Sequence, residues 1–292
     1  MKVLHVHAHF DDFEFVAAGT FELWRRQLGV CFQGRILVCT DGRSGHHFRS
    51  RTETAAVRLA EQADSARLGG YEFRRLTRPD GLPFAEARTL TTDLLASLWK
   101  EIREFEPDYL LCPPLPLNPL AGIHPDHITV AEAVRRVAYM INVPHAFLDE
   151  YPVTDESQSR WVKTPVILNT YDAYQAGANT GDLVINVEAA FELIAQESWC
   201  HQSQIREWLP WIGRHRMSVA SNLAEWRDTL RRRFDRQARE LGLPPNCAHE
   251  VLTVTAWGEI PTAEQLERDF PAWVRHQAKD QALRDKLAQW AT

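Results

Sequence analysis

The sequence predicts an α/β fold with Rossmann-like topology, in which a mostly parallel sheet carries helices on both faces. The first observation is that short apolar runs alternate with helical patterns through the first half of the chain. This alternation is the βαβ signature of parallel strands joined by crossover helices. The second observation is that polar clusters follow two of the apolar runs, close to where the next helix begins. Ligands bind beyond the carboxyl ends of strands in open α/β sheets, so we expect a functional site there.

The elements of the first half are assigned from their apolar periodicity. Runs rich in valine, leucine and isoleucine indicate buried strands, and apolar residues at three- and four-residue spacing indicate helices. Strands are predicted at residues 2–8, 35–39, 71–75 and 109–112. Helices are predicted to end near residue 27 and to cover residues 52–67, 87–105 and 128–139. The first half therefore predicts the centre of the sheet.

The second half predicts further short strands and a helical C-terminal extension. Strands are predicted at residues 146–148, 166–169, 183–187 and 250–257, and helices at residues 189–202 and 223–241. Residues 153–160 are rich in polar side chains and predict a linker or disorder. Residues 262–292 predict two polar helices that pack on the domain or on a second copy of the chain. We therefore expect a core over residues 1–210, with residues 211–292 packed on it as a single compact unit.

Length, charge and cysteine usage narrow the function classes. At 292 residues with 45% hydrophobic content, the chain can bury an ample core. The formal net charge of -6 and the lack of a long basic run argue against a nucleic-acid partner. No window reaches the ~18 apolar residues of a membrane span, and no signal peptide is recognisable. The five cysteines are scattered and form no CxxC pair, which is typical of reduced thiols in a cytoplasmic protein.

The first polar cluster lies in Val3–Glu14, which reads VLHVHAHFDDFE. His9 and Asp12 lie three residues apart across a strand-to-helix turn, where an imidazole and a carboxylate can reach one cation. This ligand pair suits Zn²⁺, with Fe²⁺ or Co²⁺ as alternatives. Asp11 would then be free to act as a general base for a metal-activated water. Taken alone, the pattern leaves open that Asp11 and Asp12 only cap the following helix.

The second polar cluster favours the metal site over helix capping. Gly122–His127 reads GIHPDH, follows the strand at residues 109–112 and a proline-rich loop, and opens the helix at residues 128–139. Two such clusters at two strand ends can supply three ligands and leave one position open. That arrangement is typical of a catalytic zinc, whereas a structural zinc is closed by a fourth ligand.

The two motifs resemble those of the LmbE-like, or PIG-L, family of metal-dependent N-deacetylases. Ala8–Glu14 (AHFDDFE) resembles the AHPDDxE motif of the family, and His124–His127 (HPDH) resembles its HPDH motif. Further similar features occur in the same order at Thr40–Gly42, Pro107–Asp108 and His201–Gln204, so the resemblance covers roughly residues 1–210. Phe10 departs from the family, which usually has proline there. Proline would stiffen the turn through its fixed φ, whereas phenylalanine must hold it by packing.

The resemblance implies a role for each motif residue and a substrate class. It implies that Asp11 is the general base, that His124 stabilises the oxyanion, and that Asp126 orients or charge-balances His124. The Zn²⁺ ligands that it implies are His9, Asp12 and His127. The implied reaction is N-deacetylation of a small-molecule N-acetyl amino sugar, such as an N-acetylglucosamine derivative, or of its conjugate.

Substrate-binding residues are predicted in two loops. Arg51 begins a helix next to the expected cleft, and its guanidinium suits bidentate contacts with a phosphate or carboxylate. Asp80 lies in a turn-rich loop after the third strand. It is either only a turn residue or, as the resemblance implies, part of a sugar-binding loop.

Other histidines and the tryptophans are interpreted as structural. His5 and His7 share the strand face of His9, and we expect them to be hydrogen-bonded core groups or supports of the ligands. His46 and His47 are interpreted as exposed loop imidazoles. The tryptophans of the Glu207–Trp211 segment are assigned to packing in preference to sugar stacking.

Two further functions stay open on the sequence alone. One is an amidase that removes a larger acyl group from a glycoconjugate or a thiol conjugate, which would differ mainly in pocket size. The other is a metal-binding protein without catalysis. A free Asp11 beside two proposed ligands argues against the second, because a purely structural site does not need a free base.

Overall fold

The computed structural model describes residues 1–152, 160–213 and 216–291, and these contain one sheet of seven strands in the order β3-β2-β1-β4-β5-β7-β6. The strands are β1 (Lys2–His7), β2 (Gln33–Val38), β3 (Glu72–Arg75), β4 (Tyr109–Cys112), β5 (Val166–Thr170), β6 (Leu183–Asn186) and β7 (His249–Val254). The first five pair in parallel, and β7 runs antiparallel to both β5 and β6. The predicted α/β class with a mostly parallel sheet is confirmed.

Helices pack on both faces of the sheet. The α-helices of the described residues are α1 (Ala18–Leu28), α2 (Arg51–Gly69), α3 (Thr92–Phe105), α4 (Pro125–Met140), α5 (Phe191–Trp199), α6 (Leu209–Gly213), α7 (Leu223–Leu241), α8 (Ala263–Asp269) and α9 (Gln277–Trp290). A 3₁₀ turn at Phe13–Phe15 precedes α1, and a π-helical segment at Ser203–Trp208 precedes α6. No helix in this part of the chain is long and apolar enough to cross a membrane.

Strand β1 lies in the middle of the core and is buried on both faces, as parallel strands usually are. Val3 belongs to the apolar cluster on one face, while Leu4 and Val6 belong to the cluster on the other. All three side chains are fully buried. This burial fixes the register of β1, so that the residues after it are delivered to a defined position at the carboxyl end of the strand.

Some predicted elements differ from the structure. Residues 146–148 form turns and not a strand, because Phe147 is buried as a packing anchor outside the sheet. Residues 87–91 precede α3 and are not helical, because Thr91 caps α3 by accepting a hydrogen bond from the N–H of Leu94 at 3.2 Å. The predicted linker at residues 153–160 lies, apart from Arg160, outside the described residues.

The sheet extends past the predicted division near residue 210. β7 comes after that position in the chain, yet it lies between β5 and β6 in the sheet. Its partners β5 and β6 both precede residue 210. The division into a core at residues 1–210 and an extension at residues 211–292 stays a prediction. The proposed extension also contributes a strand, β7, to the sheet of the core.

Candidate active site

A cavity of about 470 Å³ opens where β1 and β5 end and α4 begins. We call its histidines and aspartates the floor; they are His7, His9, Asp11, Asp12, His124, Asp126, His127 and Asp172. We call its residues after position 200 the C-terminal wall; they are Gln204, Trp208, Leu209 and Arg233. The floor therefore lies at the carboxyl ends of parallel strands, where ligands bind in open α/β sheets.

Asp12 is the centre of the floor. Its Oδ2 atom faces three imidazoles and lies 2.6 Å from His7 Nδ1, 3.2 Å from His9 Nδ1 and 3.5 Å from His127 Nε2. Burial acts to raise the pKa of this carboxyl, but the three imidazoles lower it by more and hold it well below its usual range. Asp12 is therefore a carboxylate, the form that can bind a cation.

Two further carboxylates orient the imidazoles from behind. His127 Nδ1 lies 3.0 Å from Asp172 Oδ2, and His9 Nε2 lies 2.9 Å from Asp126 Oδ2. A carboxylate on the second ring nitrogen is the usual support of a metal-binding histidine, because it fixes the tautomer and the ring orientation. The contact of His127 also leaves its Nε2 atom directed at Asp12.

The donor atoms are close enough together to hold a metal ion. Ligand atoms of His9, His124 and His127 all lie within 4.8 Å of one another, and so do those of His7, Asp12 and His127. The predicted trio of His9, Asp12 and His127 is divided between these two groups, which share His127. Imidazole nitrogens with a carboxylate oxygen are a donor set that suits Zn²⁺, so the residues present fit a divalent cation.

Asp11 lies beside Asp12 in a different environment. It is a buried non-glycine residue with a φ of 80°, in the left-handed region that few such residues adopt. Arg58 Nη2 donates to Asp11 Oδ1 at 2.8 Å, and the N–H of Asp11 donates to Gln62 Oε1 at 3.3 Å. Burial raises the pKa of Asp11 to about 6, although Arg58 opposes the shift. Adjacent carboxyls with opposite pKa shifts are typical of residues with different chemical roles.

Phe10, the departure from the family motif, is fully buried. Its ring packs edge-on against Phe73 with 5.8 Å between centroids, and Arg58 Nη2 donates to its carbonyl oxygen. The turn that presents Asp11 is thus held by packing and by an arginine instead of by a proline.

A buried network behind Asp11 supports this turn. Glu14 Oε1 accepts hydrogen bonds from Gln62 Nε2 at 2.9 Å, Ser65 Oγ at 2.6 Å and Tyr71 OH at 3.0 Å. His201 Nε2 lies 3.1 Å from the same oxygen. Burial acts to raise the pKa of Glu14, but His201 and the hydrogen bonds lower it to about 2. Gln62 also accepts a hydrogen bond from the main-chain N–H of Asp11. The network therefore connects Glu14, from the first motif, and His201, from the His201–Gln204 segment, to the position of Asp11.

The two predicted substrate-binding residues do not line this cavity, although Glu86, the partner of Arg51, does. Arg51 is exposed and forms an ion pair with Glu86 at 3.0 Å. Asp80 accepts a hydrogen bond from the N–H of Leu82 at 3.0 Å, which is the contact of a turn residue. Neither residue lines the cavity, and their substrate contacts stay predictions.

The remaining histidines correct two expectations. His5 is buried with no hydrogen-bond partner on either ring nitrogen among the described residues, so the expected hydrogen bond is absent and burial lowers its pKa to about 3. The side chain of His46 is buried and not exposed, because it lies 2.8 Å from Glu207 within the Arg49–Glu207 ion pair. His47 is exposed, as expected, and stacks on Trp211 with 4.7 Å between ring centroids.

Several residues of the cavity were not singled out from the sequence. Asp172 follows the carboxyl end of β5, so the strand-end rule that found His9 also applies to it. Arg58 lines the cavity, and Gln62, which does not, lies one turn away on α2; both are buried polar groups. Trp208 was assigned to packing, yet it lines the cavity and stacks with Trp211 at 5.2 Å. No sequence pattern points to Arg233, which comes from α7.

Comparisons with known proteins agree with the motif resemblance. Residues 4–138 match the model of the PIG-L family, described as GlcNAc-PI de-N-acetylase. This match confirms the predicted resemblance to the PIG-L, or LmbE-like, family over residues 4–138. That description names a deacetylase, which is a hydrolase. No curated protein matches the sequence.

Solved structures show the same fold at low identity. N,N'-diacetylchitobiose deacetylase from Pyrococcus horikoshii is 20% identical, with a TM-score of 0.63 over 88% of this chain and 84% of that one. The 4-carboxy-2-hydroxymuconate hydratase of Pseudomonas putida KT2440 is 16% identical, with a TM-score of 0.59 over 86% and 95%. A deacetylase involved in teicoplanin biosynthesis is 15% identical, with a TM-score of 0.56 over 88% and 99%. Since deacetylases and a hydratase share this fold, the chemistry must be argued from the site.

Proposed function

We propose that this protein is a metal-dependent N-deacetylase that hydrolyses the amide of an N-acetyl amino sugar or of its conjugate. The observation that carries the proposal is the convergence of three imidazoles on Asp12, next to an Asp11 that is held separately by Arg58. A structural metal site would not need a second, independently held carboxylate beside it. The family description and the deacetylases among the solved structures support the same class.

We propose Zn²⁺ as the metal, with Fe²⁺ as the alternative that the same donors accept. His9, Asp12 and His127 would hold it, and His7 and His124 are further imidazoles within reach. Bound there, the cation would supply Lewis acidity that polarises the amide carbonyl and lowers the pKa of a water molecule.

Asp11 is the group that removes the proton of the attacking water. Its pKa of about 6 lies above that of an ordinary aspartate, which makes the carboxylate a stronger base while it remains mostly ionised at neutral pH. Arg58 and Gln62 fix its position, so the carboxylate is already oriented before the substrate arrives. The same carboxyl can afterwards give the proton to the leaving amine.

His124 is the donor that we assign to the developing oxyanion. Burial and its neighbours His9 and His127 lower its pKa to about 4, so the ring is neutral at pH 7. Its Nδ1 atom accepts a hydrogen bond from the N–H of Asp126 at 3.3 Å, which leaves the proton on Nε2. A neutral imidazole can thus donate one hydrogen bond to the substrate oxygen. The carboxylate of Asp126 binds His9 in this structure, so the main chain of Asp126 is what orients His124.

We propose the same cellular setting and assembly that the sequence predicts. In the described part of the chain all five cysteines are free thiols, which supports a cytoplasmic setting as part of the proposal. A homo-oligomer through the C-terminal helices also stays a proposal.

The test is the release of carboxylic acid from a panel of N-acyl amino sugars, free and conjugated, by metal-loaded protein. The panel includes acyl groups longer than acetyl, so that an amidase for larger acyl groups would show itself. Asp11→Asn serves as the control because it keeps the shape of the side chain. We expect acid from wild type and at least ~100-fold less from the variant. Acid release at equal rates from both proteins would contradict the assignment of the base.

A further inference from the structure

Arg233 differs from the other arginines of the cavity in that no described residue pairs with it. Arg58 pairs with Asp11 at 2.8 Å, and Arg88 pairs with Glu86 at 3.3 Å. All three arginines line the cavity. Over residues 1–152, 160–213 and 216–291, no hydrogen bond or ion pair engages Arg233. Its donors are therefore available to a molecule that enters the cavity.

Arg233 is held in place by packing. Its guanidinium carbon lies 4.5 Å from the centroid of the Phe15 ring, and the side chain is half-buried. Burial lowers the pKa of Arg233, and the charge of Arg236 adds to this, although Tyr171, Tyr174 and Asp11 oppose the shift. A partly buried charge without a counter-ion is unfavourable, because charges withdrawn from water are normally paired. An anion from outside the chain would remove that cost.

We propose that Arg233 binds an anionic oxygen group, a carboxylate or a phosphate, which the substrate carries in addition to its scissile amide. The planar guanidinium presents parallel N–H donors that match two oxygens of such a group. Arg233 shares the cavity with Asp11 and the metal-binding floor, so the amide and the anion would be held at the same time. The inference rests on the proposed deacetylase function and narrows it to N-acyl amino sugars with a negative charge.

The family comparison does not assign this role. Arg233 lies on α7, outside the residues 4–138 that match the family model. It belongs to the C-terminal wall, which the two sequence motifs do not reach. It is a candidate specificity residue and not a further member of the metal site.

The experiment compares matched substrates and matched variants of the metal-loaded protein. The neutral substrate is the methyl glycoside of N-acetylglucosamine. The anionic substrates are N-acetylglucosamine 1-phosphate, an N-acetylglucosaminide of a hydroxy acid, and N-succinylglucosamine, which place the charge as phosphate, as carboxylate on the sugar side, and as carboxylate on the acyl side. The variants are Arg233→Met and Arg233→Lys. The control is Arg236→Met, which removes the same charge from an exposed position on the same helix outside the cavity.

We expect at least one anionic substrate to lose about 10- to 100-fold in kcat/KM with Arg233→Met, mostly through KM, as for a lost hydrogen bond to a charged group. The neutral substrate should change by less than about 3-fold, Arg233→Lys should keep part of the preference, and Arg236→Met should match wild type. The substrate that responds identifies where the anion lies. Equal losses on neutral and anionic substrates, or no loss on any anionic one, would overturn the inference.

A binding measurement separates this inference from the proposed function. Calorimetric titration of the same sugars into Asp11→Asn protein, with and without Arg233→Met, does not require turnover. Anion binding that depends on Arg233 supports the inference even if no substrate is hydrolysed, in which case only the deacetylase assignment fails. Hydrolysis of the neutral sugar without any Arg233-dependent preference in binding or rate leaves the deacetylase assignment in place and removes the anionic substrate.

Discussion

The floor and the C-terminal wall of the cavity are built in different ways. The floor consists of residues that follow strand ends or begin α4, and almost every one of its side chains contacts another titratable group. The C-terminal wall comes from the π-helical segment, α6 and α7, and combines Trp208 and Leu209 with Arg233, which has no partner in the part of the chain that the structure describes. The floor is thus coupled internally, whereas the C-terminal wall has an unused positive charge and an aromatic surface.

This difference assigns different kinetic roles to the two regions. Groups that hold a metal or a proton act on the bond being broken, so changes in the floor should appear mainly in kcat. Groups that bind remote parts of the substrate contribute equally to ground and transition states unless they strain the substrate, so changes in the C-terminal wall should appear mainly in KM. The following experiments test that separation.

Removing the metal should have the largest effect. Dialysis against a chelator should reduce acid release by ~1,000-fold or more, because both carbonyl polarisation and water activation are lost together. Metal content by mass spectrometry and acid release are measured on the same sample before and after addition of Zn²⁺ or Fe²⁺. Undiminished acid release by the metal-free protein would contradict the assignment of the floor as a catalytic metal site.

Asp172→Asn should weaken the metal site without removing a ligand. Asp172 lies 3.0 Å from His127 Nδ1 and orients that imidazole. Loss of such a supporting carboxylate typically reduces metal affinity ~10- to 100-fold, which competition with a chromophoric chelator measures. Asp80→Asn, at a turn residue outside the cavity, is the control. Equal affinities in the two variants would mean that Asp172 has no part in the site.

Arg58→Met should slow the reaction by acting on Asp11. Without the guanidinium the buried carboxylate loses its partner, its pKa rises further, and less of it is ionised at neutral pH. We expect kcat to fall by ~10-fold and the acidic limb of its pH profile to move to higher pH, with KM little changed. Arg43→Met is a suitable control, because Arg43 pairs with Asp41 and does not line the cavity. A pH profile identical to that of wild type would show that Arg58 does not influence the ionisation of Asp11 during the reaction.

Trp208→Ala should have the smallest effect and belongs to the C-terminal wall. Trp208 lines the cavity and stacks on Trp211, an arrangement that can hold the face of a sugar. We expect KM to rise by about 2- to 10-fold, as for the loss of one aromatic contact, with kcat unchanged. Trp161→Ala, at an exposed tryptophan outside the cavity, controls for general effects of the substitution. A fall in kcat with constant KM would contradict a binding role for Trp208 and would indicate that it acts on the chemical step, as the floor residues do.

The sequence signals that point to the floor are local. His9-x-x-Asp12 directly follows an apolar run and His124–His127 opens a helix, so each motif shows its ligand types and its place in the fold within a few residues. The structure brings both motifs into one cavity. The same logic would have found Asp172, but a lone aspartate after a short strand carries too little pattern to be singled out.

The C-terminal wall could not be predicted because its position depends on distant contacts. β7 inserts between β5 and β6, and only this topology, with the packing of α7, brings Arg233 to a cavity whose floor begins at His7. A charged helix such as α7 shows an amphipathic pattern, but the pattern does not tell which of its arginines lacks a partner. The prediction that His46 is exposed was wrong for the same reason, since its partner Glu207 lies 161 residues away in the chain.

We propose that two adjacent carboxylates of the floor have different roles, Asp12 holding the metal and Asp11 moving the proton. The most direct measurement is metal content together with acid release for Asp11→Asn and Asp12→Asn under identical conditions. We predict that Asp11→Asn keeps the metal and loses at least ~100-fold in rate, whereas Asp12→Asn loses both metal and rate. Loss of metal in Asp11→Asn, or full metal and activity in Asp12→Asn, would contradict this division of roles.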